Sequence, residues 1–61
     1  MRFLVEDMSC SHCAATIENA IATAGGRASS DLATHTVQVE GLDDERAAQV
    51  IRDAGYTPRP A

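Results

Sequence analysis

The sequence predicts an α+β fold, a four-stranded antiparallel sheet with two helices on one face, and three observations lead there. Two stretches place apolar residues at helical spacing, and each stops at glycine, Gly25-Gly26 after the first and Gly55 after the second. Between them Thr36-Val37-Gln38-Val39-Glu40 alternates apolar with polar residues, the period of a half-buried strand. A short apolar run at Arg2-Phe3-Leu4-Val5-Glu6 precedes the first helical stretch and supplies a strand ahead of it.

Taken in order, the first strand turns Phe3 and Val5 to one face and Arg2, Leu4 and Glu6 to the other. Leu4 breaks that alternation and reads as a singly exposed leucine. Asp7 to Ser11 form a loop. From His12 to Ala24 the residues Cys13, Ile17, Ala20, Ile21 and Ala24 share one helical face, with Ser11 expected as N-cap and the double glycine as the stop. Arg27 to Leu32 is expected as a second strand although it lacks β-branched and aromatic residues. Ala33-Thr34-His35 turns it into the clear strand Thr36–Glu40, with Val37 and Val39 inward and His35 expected to be solvated. Asp43 is the expected N-cap of a second helix running to Ala54, with Asp44 and Glu45 in its first turn and Ala47, Val50, Ile51 and Ala54 on one face. Tyr56-Thr57-Pro58-Arg59 is expected as a last strand, confined to an edge by its proline, and Pro60-Ala61 as a tail.

This βαββαβ order is the split βαβ pattern of a ferredoxin-like sandwich. Sixty-one residues allow a single domain, 1–61, and a chain so short buries only about 60% of the surface it exposes when unfolded. Hydrophobic residues make up 44%, with one Phe, one Tyr and no Trp, so the core is small and aliphatic. Nine acidic against five basic residues give a net charge of −4, which disfavours nucleic acid and anionic membranes as partners. No stretch has the length of a membrane span, and the N-terminus lacks the charged, apolar and small-residue succession of a signal peptide. A cytoplasmic location, where thiols stay reduced, is the expectation.

Both cysteines lie within Met8-Ser9-Cys10-Ser11-His12-Cys13, one in the loop and one in the first turn of the helix. Two thiols at that spacing can face one soft ion, because thiolate is the binding form and a helix N-terminus favours it. Thiolates select Cu(I), zinc and similar ions, and two sulfurs suit two-coordinate Cu(I) better than structural zinc, which takes four ligands. The spacing alone leaves a redox pair of the thioredoxin type open as well. A structural disulfide is the third reading, although so small a loop removes little denatured-state entropy.

The run Val5-Glu6-Asp7-Met8-Ser9-Cys10-Ser11-His12-Cys13 resembles the M-x-C-x-x-C signature of the heavy-metal-associated domain, the module of bacterial copper chaperones and of the N-terminal domains of copper-transporting P-type ATPases. The likeness continues through Asp31-Leu32 with Thr36–Val39, and through Ile51-Arg52-Asp53-Ala54-Gly55-Tyr56, so it covers essentially the whole chain. It implies Cys10 and Cys13 as the metal ligands, Met8 tucked inward beneath the loop, and Tyr56 beside the site as in bacterial chaperones. Asp7 departs from the glycine common at its position. An added carboxylate there is expected to raise thiol pKa and to favour a harder ion such as Zn(II). His12, at the helix start, is expected to point to solvent and to tune the thiolates through its charge rather than to ligate.

What the resemblance implies is a cytoplasmic metallochaperone, not an enzyme, that binds Cu(I) and passes it by ligand exchange to the metal-binding domain of a copper-transporting P-type ATPase or to a copper-responsive regulator. The apo protein is expected to be monomeric, with a metal-bridged homodimer as a second state. The rival readings are a module for zinc, cadmium or mercury, and a dithiol redox protein; the element order argues against the latter, since a thioredoxin fold needs a larger sheet.

Overall fold

Alternation and helical periodicity produce six elements in the computed structural model, which describes residues 1–61: β1 (Arg2–Leu4), α1 (Ser11–Thr23), β2 (Arg27–Asp31), β3 (Thr36–Glu40), α2 (Asp44–Asp53) and β4 (Arg59–Pro60). The strands form one antiparallel sheet in the order β2-β3-β1-β4. Register sets the core. Phe3 lies opposite Val37, and Ala28 opposite Val39, so these residues share the face that the helices cover. Against Phe3, Val5, Val37 and Val39 pack Ala14, Ile17 and Ile21 of α1 and Ala47, Val50 and Ile51 of α2, all buried. Met8 completes this core from the loop.

Each helix closes in the same way. Gly25 and Gly55 adopt φ of 96° and 98°, the left-handed conformation glycine reaches without penalty. The N–H of Gly26 then donates to the Ile21 carbonyl at 3.0 Å, and that of Tyr56 to the Ile51 carbonyl at 3.2 Å, so both ends satisfy their last carbonyls. Gly26 has a second reason to be glycine: a Cβ there would lie 2.8 Å from Leu42 Cγ and 2.9 Å from the Glu40 carbonyl oxygen.

Four boundaries differ from expectation, each for a local reason. Cys10, not Ser11, is the N-cap of α1; its backbone is extended (φ −149°, ψ 166°) and its carbonyl accepts the first helical N–H, from Ala14, at 3.1 Å. Ser11 is therefore already helical. The buried stripe of α1 correspondingly runs through Ala14, and Cys13 is only half-buried. β1 stops at Leu4 because the Val5 N–H donates to the His35 carbonyl at 2.7 Å and the Val5 carbonyl is taken by Met8 N–H at 3.1 Å, which starts a turn. Leu4 is half-buried on the open face of the sheet, opposite Thr36 on one side and Arg59 on the other. β2 ends at Asp31, whose Oδ1 accepts from Ala33 N–H and so begins the turn one residue early.

β4 begins only at Arg59, since Tyr56 is committed to closing α2 and Thr57 N–H reaches toward Asp7. Pro60 belongs to the ladder and not to a tail, and Ala61 N–H donates to the Arg2 carbonyl at 3.2 Å. At the opposite edge, the Ser30 N–H of β2 donates to Glu18 Oε2 of α1 at 3.1 Å.

Candidate metal centre

The two helices begin differently, and the difference defines the site. Asp43 Oδ1 accepts from the Arg46 N–H at 2.7 Å, and Asp44 and Glu45 occupy the first turn of α2, so the start of that helix is capped and charge-compensated. The start of α1 has no side-chain cap and no acidic residue in its first turn. Its free N–H groups and positive dipole end therefore act on whatever lies there. What lies there is the pair of cysteines.

Cys10 and Cys13 are both free thiols with Sγ atoms 3.3 Å apart, well beyond the ~2.05 Å of a disulfide and within reach of an S–H···S bond. Cys10 is exposed on the loop, whereas Cys13 is half-buried and packs against the core. The Cys13 thiol is held below its ordinary pKa, first by the neighbouring Tyr56 hydroxyl and then by Cys10; burial opposes them, and the backbone at Ser9 and Cys10 adds weaker downward pulls. Tyr56 shows the reciprocal effect: Cys13 beside it pushes its hydroxyl from 10.0 up to about 12, helped by burial and by the charges of Cys13, Cys10 and Asp7. Because Tyr56 sits three residues past the last residue of α2, the same turn that ends the helix brings it toward the cysteines.

The remaining loop residues take distinct places. Met8 is fully buried among the core residues. Asp7 is exposed and its Oδ1 accepts from the Thr57 N–H at 3.4 Å, joining the loop to the segment after α2. The expected upward push of Asp7 on the thiols is not what governs Cys13, where the tyrosine hydroxyl wins; Asp7 is the weakest of the influences on Tyr56. His12 is exposed, and only its carbonyl is engaged, by Thr16 Oγ1 at 3.0 Å. No three His, Cys, Asp or Glu side chains come together in a group able to hold an ion, so the two sulfurs stand without a third protein ligand.

His35 overturns its sequence expectation. It is half-buried, not solvated, and its Nδ1 lies 2.9 Å from the Met8 carbonyl oxygen. A carbonyl only accepts, so the ring bears its proton on Nδ1 and donates. The backbone of His35 has φ of 56°, a conformation that outside glycine favours Asn, Asp and His. A histidine at the end of a short hairpin turn was the available signal, although it did not say what the ring would touch.

The family model of the heavy-metal-associated domain matches residues 2–57. Among solved structures, the crystal structure of a gold binding protein is 39% identical, with 97% of this chain and 95% of that chain covered and a TM-score of 0.88. Atu1203 of Agrobacterium tumefaciens is 44% identical over 97% of each chain, with a TM-score of 0.86. The copper chaperone Atx1 from Synechocystis shares the fold at 24% identity and a TM-score of 0.88, over 97% of this chain and 98% of its own. A search of curated protein sequences gave no match.

Proposed function

Since the chain belongs to the heavy-metal-associated domain family, we propose that it is a carrier of Cu(I), which Cys10 and Cys13 hold between them and surrender to a second dithiol. The observation that carries this reading is the pair of free sulfurs 3.3 Å apart at an exposed helix start with no third ligand nearby. Two sulfurs leave a soft ion coordinatively unsaturated, and an unsaturated ion can be attacked. On the scale of the roughly 2.3 Å zinc–sulfur bond, two sulfurs in line with a soft ion lie about 4.6 Å apart, so the pair, 3.3 Å apart, must open on loading. Cys10, exposed and at a non-helical N-cap, is the member free to move. Cys13, packed against the core, stays.

Transfer proceeds by exchange. A partner thiol gives up its proton as its sulfur bonds to the ion; then one of the protein's own sulfur bonds breaks and that thiolate takes up a proton. Repetition moves the ion without oxidation or reduction. The protein is a carrier and not an enzyme. A like-folded metal-binding domain of a copper-transporting P-type ATPase, or a copper-responsive regulator, fits as partner, and two copies sharing an ion across four cysteines form the metal-bridged homodimer. No helix is long and apolar enough to cross a membrane. The reading puts the carrier in the cytoplasm because its two thiols must stay reduced to bind an ion.

The gold binding protein, 39% identical, supports a soft metal ion as cargo. The second reading, a zinc, cadmium or mercury module, rests on Asp7 and His12, neither of which joins the sulfurs in a ligand group. An anaerobic competition titration against a chromophoric Cu(I) chelator, repeated with Zn(II), decides between them. One Cu(I) held tightly, lost in Cys10→Ser and in Cys13→Ser, and zinc held far more weakly is the expected result. Zinc bound as tightly as copper would shift the assignment to the second reading, and no metal at all would leave a dithiol redox protein.

A further inference from the structure

Three tethers converge on Met8: its side chain is fully buried, its N–H donates to the Val5 carbonyl at 3.1 Å, and its carbonyl accepts from His35 Nδ1 at 2.9 Å. Two of them come from the loop's own neighbourhood. The third crosses from the β2–β3 turn, and the same turn residue also receives the Val5 N–H on its carbonyl at 2.7 Å. His35 thus grips the chain on both sides of the Glu6-Asp7 turn. Only the Ser9 residue lies between the fixed Met8 carbonyl and Cys10, whose carbonyl already belongs to α1.

We infer that His35 is a positioning residue of the metal loop: its ring holds the Met8 carbonyl still, so that movement of Cys10 is confined to the Ser9–Cys10 link. This rests on the metal reading for its purpose, though not for its geometry. With the base fixed, Cys10 swings against a stationary Cys13. Without the ring, Met8 keeps its buried side chain and its bond to Val5 but its carbonyl is released, so the movable link lengthens to include the Met8–Ser9 peptide.

Two substitutions separate the ring from the backbone. His35→Gly keeps the left-handed conformation and the carbonyl that serves Val5, and removes the ring. His35→Asn also tolerates that conformation and carries an amide nitrogen on Cγ, where Nδ1 sits in histidine. Hydrogen exchange on the reduced metal-free protein reads the tether at two bonded amides, Met8 (to Val5) and Ala14 (to Cys10), with Gly26 and Val39 at distant bonds as controls. The expected result for His35→Gly is exchange about three- to tenfold faster at Met8 and Ala14 with the controls unmoved, the range that follows from losing one hydrogen bond. His35→Asn is expected to restore the native rates.

In the Cu(I)-loaded protein, release to a competing chelator should quicken in His35→Gly by a similar factor and return to the native rate in His35→Asn. Unchanged exchange at Met8 and Ala14 in His35→Gly would overturn the assignment. So would an increase shared equally by Gly26 and Val39, or an asparagine variant as loose as the glycine one. If the native protein takes up no Cu(I), the carrier reading falls, while the exchange comparison still decides the role of His35.

Discussion

A hydroxyl that donates to sulfur favours the thiolate, since hydrogen bonds to an ionised acceptor are roughly twice as strong as neutral ones. Tyr56 therefore shifts Cys13 toward its thiolate, and the linkage has a definite sign. Cys13 has a lowered pKa in the folded protein, so its thiolate stabilises the fold at high pH and that contribution is lost as pH falls through the folded value. Tyr56 has a raised one: above pH 10.0 the unfolded chain releases a proton that the folded protein keeps to about 12, and stability declines through that window. Replacing Tyr56 with Phe should move the thiolate ultraviolet absorbance of the reduced protein to higher pH and flatten the alkaline loss of stability in denaturant titrations. Of the residues around the sulfurs, Tyr56 is placed beside them by the resemblance to the heavy-metal-associated domain, whereas the residue pattern alone puts it in the last strand. His35 could not be placed, since its contact spans 27 positions and depends on how the hairpin folds back.

The two helices share a C-terminal design and differ at their starts, so substitutions at the ends should have unequal effects. Asp43→Ala removes the oxygen that caps α2 and is expected to cost about 1 kcal/mol, read as a lower denaturant midpoint, with metal binding unaltered. Gly26→Ala drives a Cβ against Leu42 and the Glu40 carbonyl, which cannot both yield, and about 1–3 kcal/mol is expected by the scale of overpacking. Gly25→Ala meets nothing within 4 Å and is penalised only by its backbone angle, about 1–2 kcal/mol. The elements themselves were legible because periodicity is a property of adjacent residues. Their ends were less so. Ser11 carries the hydroxyl of a typical N-cap, yet the loop brings the chain in one residue earlier, and a cysteine with no capping oxygen takes the position. β4 slipped toward the C-terminus because Thr57 is held by a carboxylate 50 residues away.

At the scale of the molecule, a core of eleven buried residues supports a 61-residue chain, so any ligand that binds only the folded form should be visible in its stability. Cu(I) at a hundredfold excess over its dissociation constant should add about 2.7 kcal/mol, and the gain should vanish in the doubly substituted Cys10→Ser, Cys13→Ser protein. That variant is expected to keep the native fold by circular dichroism, because Cys10 is exposed and Cys13 only half-buried. The net charge of −4 adds a preference for basic surfaces and makes encounter rates fall with added salt.

The hydrogen bond from Ser30 to Glu18 reaches beyond the edge it covers. A sheet with free margins invites a neighbour's strand. Here one margin is occupied by a glutamate from the overlying helix and the other is a two-residue strand containing proline. An added strand would have to displace the glutamate at one edge or pair with a proline-bearing strand at the other, and both disfavour lateral addition. The tip where the sulfurs stand carries neither obstacle, and Cys10 is open there to an approaching surface.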